Sequence, residues 1–254
     1  MKFIRRIIFF ILIVIIGACI VAGKIGYDYY QEALQEKSFE DRISEVQNNK
    51  NFVKYDELSQ DYINAVVAVE DHRFFKHGAI DVISIGRAIY TNISEKELQE
   101  GGSTITQQVA KNVFFTQEET LRRKVGEFFA AIDLENNCSK EEIFAIYVNT
   151  AYFGNGYYGI KEASQGYYNK EPKDLNLDEA SMLAGVPNAP SVYAPTKNPE
   201  LAKQRQQHVL RKMVKYGYIT QKEVAGQLGR SKMTGNLSFC SVPIDRFLTY
   251  YILS

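Results

Sequence analysis

Three stretches of the chain carry residue types that could do chemistry. The first, Glu70-Asp71-His72-Arg73-Phe74-Phe75-Lys76-His77-Gly78, follows the apolar residues 65–69. A carboxylate at the rim of buried surface is partly desolvated, which raises its pKa and suits general acid or base work. Arg73, three residues on, would instead hold Glu70 ionised as an ordinary pair at a solvated helix end. The second, Gly101-Gly102-Ser103-Thr104-Ile105-Thr106-Gln107-Gln108, continues to Lys111 and Asn112. Thr104 followed three residues later by Gln107 is a capping box, so a helix should start here. Thr104, Gln107, Gln108 and Lys111 then share one face, with Ile105, Val109 and Val113 on the other. A Gly-Gly turn entering a helix offers free backbone N–H groups to an anion, and Lys111 adds a cation. The third, Arg122-Arg123-Lys124-Val125-Gly126-Glu127, sets Glu127 on the face of Arg123 and Lys124. On an exposed helix such a pair is worth only about 0.3–0.5 kcal/mol. His72, His77 and His208 have no spacing that suggests a metal cluster, and there is no C-x-x-C, H-E-x-x-H or P-loop.

The elements that must hold these groups read as helical from about 61 to 220. Residues 65–69 form a buried helical turn. Leu121, Val125, Phe128 and Ile132 recur as an amphipathic stripe. Ile143, Ile146 and Tyr147 begin another, and Met182 and Leu183 follow the acidic first turn Asp178-Glu179. Pro187, Pro190 and Pro195 mark a loop before a basic helix near 199–216. Alternating strand patterns are scarce, so the fold class is mainly α. The tail from 221 to 254 is open, with room for a short strand or helix.

Residues 7–23 are a seventeen-residue run without a charge, long enough as a helix to cover about 25 Å of bilayer. Lys2, Arg5 and Arg6 precede it. The positive-inside bias keeps the N-terminus in the cytoplasm and turns the rest outward. A cleavable signal peptide stays open as a reading, as does lipidation of Cys19 in Ile16-Gly17-Ala18-Cys19, although the run continues to Gly23. The expected organisation is a cytoplasmic tip and anchor at 1–24, a polar stalk at 25–54, a domain at 55–220 and a tail at 221–254. At 254 residues, with 45% hydrophobic and 24% charged residues, the chain is neither disordered nor polytopic. Thirty basic residues balance thirty acidic ones, which argues against nucleic acid as a partner. Cys138 and Cys240 alone could pair, which is no disulfide framework.

Five ordered motifs resemble the peptidoglycan glycosyltransferase domain of class A penicillin-binding proteins and of the monofunctional enzymes. They are EDHRFFKHG at 70–78 with Asp81, GGSTITQQ at 101–108, RKVGE at 123–127 running on to Leu134-Glu135, EEIFAIYVNTAYFGNGYYGI at 141–160, and DEASMLAGVPNAPSVYAP at 178–195. The resemblance covers about 55–220. It implies a lysozyme-like larger lobe, a smaller membrane-proximal lobe and a cleft between them. It implies polymerisation of lipid II with inversion at the anomeric carbon and release of undecaprenyl pyrophosphate, on the outer face of a bacterial cytoplasmic membrane. The growing glycan strand is the donor, and cell-wall assembly proteins are further partners. By motif, Glu70 is the base that deprotonates the acceptor 4-hydroxyl. Glu127 acts near the departing pyrophosphate, where a divalent cation, Mg or Mn, could bind; no organic cofactor is implied. Arg73, Arg87, Lys111 and Arg123 are the candidate pyrophosphate-side cations, with Ser103, Thr104, Gln107 and Gln108 as hydrogen-bonding partners. By analogy with inverting glycosidases, the two carboxylates would sit roughly 6.5–9.5 Å apart. The sequence departs from the family pattern at Glu119, where a basic residue is usual, and at Ala145 and Val148, where glutamate and leucine are usual. No S-x-x-K, S-D-N or K-T-G set follows residue 220, so a monofunctional polymerase is expected. A lysozyme-like peptidoglycan-cleaving enzyme and a non-catalytic membrane-anchored envelope partner are the alternatives.

Overall fold

The computed structural model describes residues 2–84, 86, 102–116 and 118–224. Arg87, Gly101, Cys240 and nearly all of the 221–254 tail lie outside these residues. The described chain is mainly helical, and the one β feature in it is the isolated bridge between Tyr152 and Tyr158.

Helix α1 (Lys2–Glu36) runs 35 residues without a break, about 52 Å at 1.5 Å per residue. It is long and apolar enough to cross a membrane, and its apolar part is exposed. Only its last third packs, burying Gly26, Tyr30 and Ala33. Ser38 caps α2 (Phe39–Gln47) by accepting from the Asp41 N–H. The 25–54 segment expected as a stalk is thus folded into the domain, with Tyr30, Ile43 and Val53 in the hydrophobic core. Its weak apolar period hid this because the buried groups are few and one is a tyrosine. Tyr30 is 1% exposed, and its hydroxyl donates to Asp133 Oδ2 at 2.8 Å, which offsets the cost of burying it.

Helix α3 (Gln60–Glu70) buries Tyr62, Ile63 and residues 65–68, as the apolar turn predicts. Capping boxes start α4 (Ile105–Phe114), α6 (Lys140–Thr150) and α8 (Leu177–Gly185), built on Thr104/Gln107, Ser139/Glu142 and Asn176/Glu179. Between them lie α5 (Leu121–Asn137) and α7 (Ile160–Tyr168). After a turn at Val186–Asn188, the short α9 (Pro190–Tyr193) leads to the basic α10 (Pro199–Lys215).

The packing divides into two groups. In one, α3, α8 and α10 pack mutually; in the other, α4 packs on both α5 and α6, and α1 lies along α5. The stripe expected to bury α5 is on the wrong side. Its core face is Arg123, Gly126, Glu127, Ala130, Ala131 and Leu134. The Val125 side instead meets α1, where Val125 touches Gly26 and Phe129 meets Tyr27. A helix that serves two neighbours has apolar residues on two faces, so periodicity alone cannot choose between them.

Candidate active site

A cavity of about 330 Å³ opens between the two helical groups. One wall is the end of α3 (Glu70, Asp71, His72), the second is the start of α4 with Lys124 and Glu127 of α5, and the third is the Arg205, His208, Lys212 and Tyr216 face of α10.

Glu70 ends α3 with its side chain 12% exposed. Burial pushes its carboxyl above the ordinary glutamate range, against the opposing pull of the Gln108 hydrogen bond and the nearby cations. Gln108 Nε2 donates to its Oε2 at 2.8 Å, and Arg205 stands 3.9 Å from its Oε1. The expected Arg73 partner is absent from this set. Asp71 leaves the helix at φ −157°, so the i,i+3 geometry is lost. Arg73 turns to Asp81 instead, at 3.4 Å, and is not among the residues lining the cavity.

Glu127 is the contrasting carboxylate. It is 1% exposed, with Lys124 Nζ donating to Oε2 at 2.8 Å and Arg123 Nε 3.1 Å from Oε1. The Arg123 N–H does not aim at that oxygen, so Glu127 Oε1 and Arg123 Nε are both buried without a hydrogen bond. The pair expected on a solvated face is therefore a buried one, where the loss of one partner costs far more. Arg123 sits beneath Glu127 rather than on the cavity wall, which Lys124 reaches instead.

Gly102, Ser103, Thr104, Gln107 and Gln108 of the second motif line the cavity with Lys111, and the polar side chains among them act in different capacities. Thr104 and Gln107 spend their side-chain oxygens on capping α4, and the Thr104 hydroxyl donates to Ala79 O at 3.0 Å. Ser103 Oγ accepts from Lys124 Nζ at 2.8 Å, leaving Gln108 as the one that touches Glu70. Asp71, His77 and Asp81 lie close enough to suggest a cation site. Their oxygens are already committed. Asp71 accepts from the Ile105 N–H at 3.1 Å and pairs with His77 Nε2 at 2.8 Å; Asp81 accepts from the Ile83 and Ser84 N–H groups and the Ser84 hydroxyl. This cluster ties the turn after α3 to the start of α4.

Sequence reasoning did not find Lys124, Arg205, His208, Lys212 or Tyr216 as wall residues. Positions 205, 208, 212 and 216 fall on one face of a helix, and that spacing is the signal that could have found four of them. Their tertiary partner was not readable: His72 stacks on Tyr216 at 4.0 Å between ring centroids.

Fold and site together define a helical enzyme domain whose cavity is lined by one desolvated glutamate and by a second that is locked between cations. The family described as Transglycosylase matches residues 37–214, and the chain belongs to it as a peptidoglycan glycosyltransferase domain. It is 39% identical over 222 residues to penicillin-binding protein 1F of Bacillus subtilis, covering 87% of this chain and 31% of that protein. It is 45% identical over 169 residues to penicillin-binding protein 1A of Aquifex aeolicus, covering 66% of this chain and 23% of that protein. With penicillin-binding protein 1A of Pseudomonas aeruginosa the identity is 43% over the same length, 21% of that protein. The chain thus spans about a third or less of these curated relatives.

Proposed function

We propose that the protein polymerises lipid II into β-1,4-linked glycan at this cavity. The observation that carries the reading is the opposed setting of two glutamates on one cavity. Glu70 is desolvated with its nearest cation at 3.9 Å, while Glu127 is held by Lys124 and Arg123. In this reading the Glu70 carboxylate removes the proton of the acceptor 4-hydroxyl as that oxygen bonds to the anomeric carbon of the donor. The bond from that carbon to the pyrophosphate breaks from the opposite face, so α becomes β and the lipid pyrophosphate leaves with both bonding electrons. Gln108 fixes the carboxylate of Glu70 so that its free lone pair meets the hydroxyl. Lys124 and Lys111 offer positive charge to the leaving group, and pre-aimed cations in a partly dry site cost no reorganisation when charge develops. Glu127 keeps Lys124 extended toward that end of the cavity.

Glu127 Oε1 is buried 3.1 Å from Arg123 Nε, so a divalent cation would be held by Glu127 only through Oε2, in competition with Lys124, and it would take its other ligands from phosphates and water, as Mg²⁺ commonly does. When bound, it would supply further neutralisation of the leaving pyrophosphate. Residues 7–23 would form the single membrane span, with the domain outside, as the basic N-terminal flank favours.

Purified full-length protein given labelled lipid II in vesicles should yield long glycan. Glu70→Gln should lower this by about 10²–10⁴, the usual worth of a general base. Cleavage of preformed peptidoglycan with no polymer would favour the lysozyme-like alternative instead, and wild-type turnover in Glu70→Gln would remove Glu70 as the base.

A further inference from the structure

The junction between α1 and α5 has a geometry that the cavity alone does not require. A Cβ built on Gly26 would stand 2.4 Å from Cγ1 and 2.5 Å from Cβ of Val125, and one on Gly126 would stand 3.3 Å from the Gly26 carbonyl oxygen. The two backbones therefore touch at this point. Contacts then advance in step along both helices: Gly26 with Val125, Tyr27 with Phe129 at 5.3 Å between ring centroids, and Tyr30 with Asp133 at 2.8 Å. The helices run parallel, and α5 is the element that carries Lys124 and Glu127.

We infer that the Gly26–Gly126 crossing is a register pin that fixes the height of Glu127 and Lys124 above the bilayer. The inference rests on α1 being the membrane anchor of the function proposed above. With α1 upright and about 1.5 Å per residue, Glu127 lies level with residue 27, about 6 Å beyond the end of the apolar run at Gly23. That is headgroup depth, where a lipid-borne diphosphate sits. Tyr27 and Tyr29 fall at the same level, where amphipathic rings concentrate in membrane proteins, and Arg122 lies over the Tyr29 ring at 4.5 Å. Leu121, five residues before Gly126, falls level with residue 21 and so about 3 Å inside the apolar zone. It is 74% exposed, although the next residue of its stripe is covered by α1. The lipid bilayer is its occupant: the first turn of α5 rests in the membrane edge, and the substrate's diphosphate is met without being lifted from its leaflet.

The chain contains no tryptophan, so a single introduced one reports its own depth. In full-length protein reconstituted in phosphatidylcholine–phosphatidylglycerol vesicles, Leu121→Trp should be quenched by lipids brominated near the headgroup at least three-fold more than Asn136→Trp. Asn136 lies on the same helix about 22 Å farther out. Equal quenching of the two overturns the assigned height. Gly26→Ala, which must push the helices apart, should lower polymerisation of vesicle-embedded lipid II at least five-fold. It should leave turnover of a short-chain, water-soluble lipid II analogue within two-fold. An equal loss on both substrates, or no loss on either, overturns the pin. Wild-type protein that polymerises neither substrate would count against the proposed function, while the quenching comparison, which needs no activity, would still decide the height.

Discussion

At the residue scale, the two glutamates differ in what surrounds them, and that difference is measurable. The raised pKa of Glu70 means the folded protein disfavours its ionised form. Its protonated form therefore lends stability at low pH, and this is lost as pH rises through the raised value. Removing the charge should then help at neutral pH. Glu70→Gln is expected to melt higher than wild type at pH 7–8, with the gap closing below the ordinary glutamate range. Calorimetry across pH reads this directly, and a lower melting point for the variant at pH 7–8 would contradict the desolvated setting. If Glu70 is the base proposed above, the same sign places the acidic limb of the rate profile above the usual carboxylate range, since a base works only when ionised. Lys124 is a different case. Its side chain is 49% exposed, but it gives the buried Glu127 its one hydrogen bond among the described residues, so Lys124→Gln should cost about 1–3 kcal/mol in urea unfolding. If its charge steadies the leaving group, turnover should fall about 10²–10³-fold. A large stability loss with unchanged turnover would make it a structural cation only.

At the element scale, much of the site was legible because motif and local structure coincide. The capping box at Thr104 and Gln107, the buried turn at 65–69 and the acidic first turn of α8 all stand where the sequence puts them, since each is decided within one helical turn. What could not be read was set by contacts between distant segments. Glu70 takes Arg205 rather than Arg73 because α3 ends at Glu70 and α10 packs against it. Arg123 and Glu127 are buried because α4 and α6 cover that face of α5. The link between α3 and α4 offers its own test. Burial pulls the His77 pKa down, but the Asp71 hydrogen bond and charge, with the Gly78 carbonyl, outweigh it and leave the value raised above 6.5. His77 therefore contributes stability that is fully present below pH 6.5 and lost as pH rises through its raised value. His77→Gln should remove that slope from a plot of unfolding free energy against pH. A slope unchanged in the variant would show that another group carries it.

At the scale of the whole molecule, the end of the long apolar helix α1 and the glycosyltransferase domain share one core, which the polar composition of residues 25–54 concealed. Arg42 holds the joint: its guanidinium donates to Ala33 O at 2.7 Å and Lys37 O at 3.2 Å, where α1 ends, and to Val113 O at 3.1 Å near the end of α4. Val113 O is one of the last-turn carbonyls that a helix terminus leaves without an intrahelical partner, while Ala33 O also accepts the Lys37 N–H at 3.3 Å. Arg42 also stacks over Phe114, with its guanidinium 5.8 Å from the ring centroid. Methionine in its place keeps much of the packing and removes all the donors, so Arg42→Met should cost about 1–3 kcal/mol. The loss should appear first as loosening of the α1–α2 joint, because Tyr30–Asp133 still secures the middle of the contact. Limited proteolysis of the reconstituted protein should then cut Arg42→Met faster than wild type between residues 37 and 54. Were the joint a flexible tether, the variant and the wild type would be cut at the same rate and unfold at the same urea concentration.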